Sequence, residues 1–227
     1  MISLHNISIS YQKNKVINSL DLTLDIEKIH GLVGLNGAGK STLLQGIFGL
    51  LPLEEGNVLY HQKDISKKDI AFLSTENYFY SYTTGRDYLS LFSDDKIRIE
   101  ELNTLFQLSI DQMIDDYSTG MKKKLALMGV LLQDKDILIL DEPFNGVDLE
   151  SSRVIHLILD QLASKGKTII ITSHILETLT SLCHQIHYLK GGVIKSSKNK
   201  AQFDEFEKDI FGEIHQKNEE KIQQLFK

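Results

Sequence analysis

Residues 34–42 read Gly-Leu-Asn-Gly-Ala-Gly-Lys-Ser-Thr, a glycine-rich stretch that ends on a lysine and two hydroxyls. Glycines let a backbone curl until its N–H groups point at an anion. With Gly34, four residues, then Gly39-Lys40-Ser41, such a loop cradles a polyphosphate. Lys40 then reaches the β- and γ-phosphates and Ser41 offers its hydroxyl to Mg²⁺, with Asn36, Gly37, Ala38 and Thr42 completing the loop. Farther on, Asp141 and Glu142 end the apolar run Asp136-Ile-Leu-Ile-Leu140, and Pro143 stops it. An aspartate there can organise Mg²⁺, and the adjoining glutamate can polarise water for in-line attack. Two acids after a buried strand also occur without either role. Tyr117-Ser118-Thr119-Gly120-Met121 reads as a helix start capped by Ser118 or Thr119. The same glycine-containing helix end can approach a phosphate closely, so capping and anion binding are compatible.

These residues need elements to hold them. Residues 29–33 (Ile-His-Gly-Leu-Val) are suited to a buried strand before the loop, and Leu43, Leu44, Ile47 and Phe48 fall at helical spacing after it. That helix aims its positive end at the phosphates. Strands are expected at 2–11 and 20–26, joined by a turn at Gln12–Lys15, and again at 56–60 and 70–73. Helices are expected at 84–92, 98–108 and 119–133. A buried strand at 136–140, a helix at 149–164, a strand at 167–172 and a helix at 175–183 follow. The alternation after residue 134 points to a parallel sheet with crossover helices. The expected fold is therefore α/β, a mostly parallel core preceded by antiparallel β strands and interrupted by an inserted helical sub-domain at about 75–133. Residues 1–195 form the main domain. The tail, 196–227, opens on a linker at 195–200 and carries Phe203, Phe206, Ile210 and Ile214 on one helical face. That face packs on its own domain or binds a partner.

The chain has 227 residues, 41% hydrophobic and 25% charged, which is ordinary globular composition. A net charge of −6 argues against nucleic-acid binding by bulk phosphate neutralisation. The single cysteine, Cys183, excludes an intramolecular disulfide and a cysteine-rich metal site and fits a reducing compartment. The first residues do not read as a signal peptide, and no apolar run approaches the roughly 18–20 residues of a membrane helix. A membrane role is expected to come through a partner.

In their order along the chain, the loop at 34–42, Tyr117-Ser-Thr-Gly-Met, the acids at 141–142, Asp148 and His174 together resemble the ATP-binding subunits of ABC transporters. The resemblance spans Ile2 to about Lys195 and implies a P-loop NTPase core that binds ATP with Mg²⁺ and hydrolyses it. It implies that Glu142 and His174 are catalytic, His174 contacting the γ-phosphate, and that Tyr11 stacks on adenine. The alternatives are a strand-end tyrosine for Tyr11 and a structural histidine for His174. Ser118, Gly120 and Asp148 would meet the nucleotide of a second subunit. Three departures stand out. Tyr117, Thr119 and Met121 replace residues of the usual Leu-Ser-Gly-Gly-Gln, a variant similar to those of two-component exporters. Thr75, with Glu76 beside it, stands where a glutamine is usual. Thr75 is too short to reach Mg²⁺ as glutamine does, so Glu76 joins Ser41 and Asp141 as a candidate ligand. Phe144-Asn-Gly-Val147 replaces the usual Ser-Gly-Leu or Ser-Ala-Leu before Asp148.

The implied partners are a membrane-spanning permease and a second ATPase subunit, identical or related, placing the chain at the cytoplasmic face of the cell membrane. Tyr78, Phe79, Tyr80, Tyr82, Tyr88 and Phe92 cluster where such subunits receive a permease helix; the alternative is the core of the helical sub-domain. The other functions open to this family are a regulatory, non-transporting membrane ATPase and a soluble ATPase scaffold.

Overall fold

The computed structural model describes residues 1–11, 14–204, 206, 219, 223, 225 and 226. In chain order the strands are β1 (Ile2–Tyr11), β2 (Asn14–Leu24), β3 (Ile29–Val33), β4 (Glu55–Tyr60), β5 (Lys63–Asp64), β6 (Ile70–Leu73), β7 (Ile137–Leu140), β8 (Thr168–Thr172), β9 (Gln185–Lys190) and β10 (Val193–Asn199). The helices are α1 (Lys40–Phe48), α2 (Gly85–Ser90), α3 (Lys96–Phe106), α4 (Thr119–Leu132), α5 (Leu149–Ser164) and α6 (Leu176–Leu182). Strands β2-β1-β4-β5 form an antiparallel sheet. Strands β10-β9-β3-β8-β7-β6 form the second, in which every neighbouring pair from β9 to β6 is parallel and β10 alone is antiparallel.

The central strands are apolar on both faces because both faces are covered. On β7, Ile137 and Ile139 join the core under the antiparallel sheet and α1, while Leu138 and Leu140 join the core under α4, α5 and α6. On β8, Ile170 faces the first core and Ile169 and Ile171 the second. This period-2 sorting fixes the register, since a one-residue slip would exchange the two cores. The ladder pairs Leu32 with Thr172, Ile171 with Leu140, and Leu140 with Leu73. The loop after β3 and the residues after β6, β7 and β8 therefore leave one edge of the sheet. The carboxyl ends of parallel strands are where α/β sheets hold ligands.

Between β6 and β7 lie α2, α3 and α4, the helical segment expected at about 75–133. Each is capped in a legible way. Thr84 and Asp87 form a capping box on α2, Asp95 accepts from the Arg98 N–H on α3, and Ser118 accepts from the Met121 N–H on α4.

Two expectations are corrected. Residues 195–200 do not link domains: Ser196 to Asn199 pair with Tyr188 to Gln185 as an edge strand. A polar edge strand, with one rim facing water, carries linker-like composition. Strand β2 begins at Asn14, well before the alternating apolar residues, and irregular pairing at Ile7 and Ile9 accommodates Lys15 to Ser19. Gln12 and Lys13 of the expected turn lie outside the described residues, as do Ile210 and Ile214 of the tail. Phe203 and Phe206 are buried, Phe206 edge-on to Tyr188.

Candidate active site

The phosphate loop leaves β3 at Gly34 and enters α1 at Lys40. Gly39 is the cap residue, at φ 103°, a conformation that favours glycine. It lets the chain turn into the helix so that first-turn N–H groups, which have no intrahelical partner, line the loop. Lys40 Nζ donates to the Gly34 carbonyl at 2.8 Å, which places the ammonium across the loop. Ser41 is exposed beside it, and Thr42 is buried.

The acids sit on the neighbouring strand ends. Asp141 is 1% exposed. Thr172 Oγ1 donates to its Oδ1 at 2.6 Å and Thr75 Oγ1 to its Oδ2 at 2.7 Å. The Asp141 N–H donates to the Leu73 carbonyl. Thr172 also accepts from the Glu142 N–H at 2.9 Å, so one hydroxyl orients both acids. Glu142 has φ 52°, rare for a residue with a side chain, and its Oε2 lies 2.9 Å from His174 Nδ1. The Glu142 side chain is largely covered, and His174 is about half exposed. A carboxylate beside an imidazole at a solvent-facing edge can share and move a proton.

Of the sequence candidates, Thr75 hydrogen-bonds Asp141; Thr75 and Glu76 are both exposed residues. Tyr11 is 45% exposed at the end of β1, and its hydroxyl donates to Gln45 of α1. Ser118 caps α4, and Gly120 lies so close to the loop before Asp148 that a Cβ would stand 2.7 Å from the Gly146 carbonyl. Asp148 caps α5, accepting from the Ser151 N–H and hydroxyl, both at 2.8 Å. Those donors, with Lys124 at 3.4 Å, hold its pKa down at about 2. The aromatic cluster divides. Phe79, Tyr88 and Phe92 pack inward, the last two against Gly129 of α4, while Tyr78, Tyr80 and Tyr82 are exposed.

Sequence reasoning missed Thr172 and Lys123. A threonine ending the run Thr-Ile-Ile-Ile-Thr next to the acidic strand was a signal for the first; nothing local marked the second. Ser41 and Asp141 present hydroxyl and carboxylate oxygens, the hard donor set that Mg²⁺ favours. The two hydroxyls on Asp141 fix its orientation and leave further lone pairs for a cation.

A sheet edge carrying a phosphate loop, two ordered acids and a histidine defines a nucleotide-hydrolysing site of the P-loop class. The family profile described as "ABC transporter" matches residues 17–145. "ABC transporter ATP-binding protein NatA" of Bacillus subtilis (strain 168) is 31% identical over 215 residues, 86% of this chain and 87% of that protein. "Nod factor export ATP-binding protein I" of Rhizobium leguminosarum bv. viciae is 30% identical, over 84% of this chain and 67% of that protein. A solved dimeric ATP-binding cassette in a post-hydrolysis state, bound to ADP and Pi, shares the fold at TM-score 0.80 and 20% identity, over 88% of this chain and 99% of that one. The chain belongs to the ABC transporter family, as an ATP-binding and ATP-hydrolysing subunit. Among the described residues no helix is long and apolar enough to cross a membrane.

Proposed function

We propose that this chain powers a membrane exporter by hydrolysing ATP as a two-fold dimer that closes on the nucleotide. The Glu142–His174 contact at 2.9 Å, beside a hydroxyl-ordered Asp141, is the observation that carries the catalytic part. Lys40 and the N–H groups of the loop bind and orient the triphosphate, and Tyr11 offers a face for adenine. Ser41 and Asp141 would hold Mg²⁺, which would supply positive charge against that on the phosphate oxygens; Glu76, the third candidate ligand, is exposed. Glu142 takes a proton from the attacking water, and His174 holds Glu142 and meets the γ-phosphate. Export is supported by the name of the Nod factor relative and by the exporter-like variant at 117–121. A permease subunit supplies the membrane span, with exposed Tyr78, Tyr80 and Tyr82 as its docking face, and the chain works peripherally at the cytoplasmic surface.

The dimer follows from a shortage of ligands. The loop covers one side of the triphosphate. Ser118 and Gly120 form a second anion site at the start of α4, and in a two-fold dimer each chain lends that site to the other's ATP. Glu142→Gln should keep ATP binding and lower turnover by about 10²–10⁴, the range for losing a general base. In sizing runs with Mg²⁺-free ATP this variant should dimerise, and adding Ser118→Arg should abolish the dimer. A monomer at saturating ATP counts against the closed dimer, and unchanged hydrolysis removes Glu142 as the base.

A further inference from the structure

Lys123 lies one turn past Ser118 and Gly120 on α4 and is 6% exposed. Lysine is rarely that buried without a carboxylate partner. Here Nζ instead donates to three main-chain carbonyls, Ser74 at 3.1 Å, Thr75 at 3.2 Å and Asp141 at 3.4 Å. Three N–H donors meet three acceptors, so the ammonium is fully used. Two of those carbonyls follow β6 and one follows β7, adjacent strands whose ends the ammonium pulls together. We propose that Lys123 is a positioning residue for ATP hydrolysis: it fixes Thr75 against the Asp141 carboxylate and ties both to the anion-binding end of α4.

Thr75 reaches Asp141 through a 2.7 Å hydrogen bond that a shift of about 1 Å would break, since such bonds weaken steeply with distance. Lys123 grips the Thr75 carbonyl on the same residue. A movement of the α4 start is thereby passed, within one helical turn, to the carboxylate that organises Mg²⁺. Burial disfavours the charged amine and lowers its pKa, and the nearby Asp141 and Glu142 charges favour it. A buried charge is weak support for stability in itself, and apolar replacements are often tolerated. Keeping an ammonium here is explained by what it holds in place. In the dimer reading above, on which this inference rests, the same connection lets nucleotide bound at one chain's α4 bias the Asp141 site of that chain.

The test is Lys123→Met in the full chain, read by Mg²⁺-free binding of a fluorescent ATP analogue, by hydrolysis, and by the thermal shift that Mg²⁺ adds to the ATP complex. Nucleotide binding without Mg²⁺ should stay within about threefold, because the loop is untouched. The Mg²⁺ needed for half-maximal hydrolysis, and for the thermal shift, should rise about 10–100-fold, the usual cost of losing a group that orients a ligand. Thr75→Val should reproduce that rise, and the double variant should be no worse than the poorer single one, the non-additivity of a shared path. If Lys123→Met does not fold, Lys123→Gln, which keeps N–H donors, should show a smaller rise. A wild-type Mg²⁺ response in Lys123→Met, additive effects with Thr75→Val, or unfolding of both Lys123 variants would overturn the inference. A wild-type chain that neither binds nor hydrolyses ATP would instead overturn the functional reading beneath it.

Discussion

Acid should destabilise this protein well before its carboxylates titrate, through a buried histidine pair. His30 on β3 and His187 on β9 stack at 5.4 Å, with His30 Nδ1 3.2 Å from His187 Nε2. His30 Nε2 lies 2.7 Å from the Asp25 carbonyl, which can only accept, so Nε2 carries the proton and Nδ1 accepts. His187 Nε2 must then be the donor, and His187 Nδ1 accepts from the Ser197 hydroxyl at 2.8 Å. Each ring is neutral; a second proton on His30 Nδ1 would set two N–H groups against each other, and one on His187 Nδ1 would require the Ser197 hydroxyl to turn and accept. Burial is the main cause of their low pKa values, about 4 for His30 and about 3 for His187. In the unfolded chain both titrate near 6.5. The unfolded state therefore binds more protons below that pH, and stability present above 6.5 is lost as pH falls. At pH 5 both rings are still neutral in the folded state, so each costs about 2 kcal/mol and the pair roughly 4. That is a large part of a typical 5–15 kcal/mol and corresponds to a fall in Tm of roughly 8–16 °C. The assay is urea unfolding from pH 8 to pH 5. His187→Gln keeps a donor and an acceptor in place and should halve the pH dependence. A flat stability profile, or His30 and His187 imidazole resonances that titrate near 6.5 in the folded protein, would refute the reasoning.

Two further substitutions probe the site. Lys40→Ala removes the cation that crosses the phosphate loop, and each charge-assisted hydrogen bond it makes is worth roughly 1.5–3 kcal/mol. Most ATP binding, read by a fluorescent nucleotide, should disappear, and near-normal affinity would dismiss the loop's assignment. Gly120→Ala puts a methyl 2.7 Å from the Gly146 carbonyl, a backbone atom with little room to yield. It should cost about 1–3 kcal/mol, lowering Tm by roughly 2–12 °C, and should weaken the proposed ATP-driven dimerisation because α4 or the loop before Asp148 must shift. An unchanged Tm would show that the close approach relaxes freely.

How much of this was legible depended on how local the signal was. Helix α5 was read at 149–164 and is found at Leu149–Ser164, because its amphipathic face and its Asp148 cap lie within the segment. The phosphate loop and the acids after β7 were legible for the same reason. Strand β10 was not, since its pairing with β9 decides its state and its own residues are polar. Neither were Thr172 and Lys123. Their partners sit 31 and 18–49 residues away in sequence and meet only because β6, β7 and β8 are neighbours. The aromatic cluster was half legible: composition marked it, and only packing separated Phe79, Tyr88 and Phe92 from the exposed tyrosines.

The backbone at Glu142 explains how two consecutive acids can serve one site. Along a strand, successive side chains point to opposite faces, so an uninterrupted β7 would send Asp141 and Glu142 apart. The left-handed turn at φ 52° ends that alternation. It costs of order 1–3 kcal/mol for a residue with a side chain. The cost is offset locally: Thr172 accepts the Glu142 N–H, His174 meets its carboxylate, and Pro143 cannot extend the ladder. Asp141 stays in the buried row between two hydroxyls, where a carboxylate can be held still. Glu142 turns toward half-exposed His174, its own side chain still largely covered. One turn thus gives two adjacent carboxylates different surroundings, as the proposed division into a cation-holding acid and a proton-accepting acid requires.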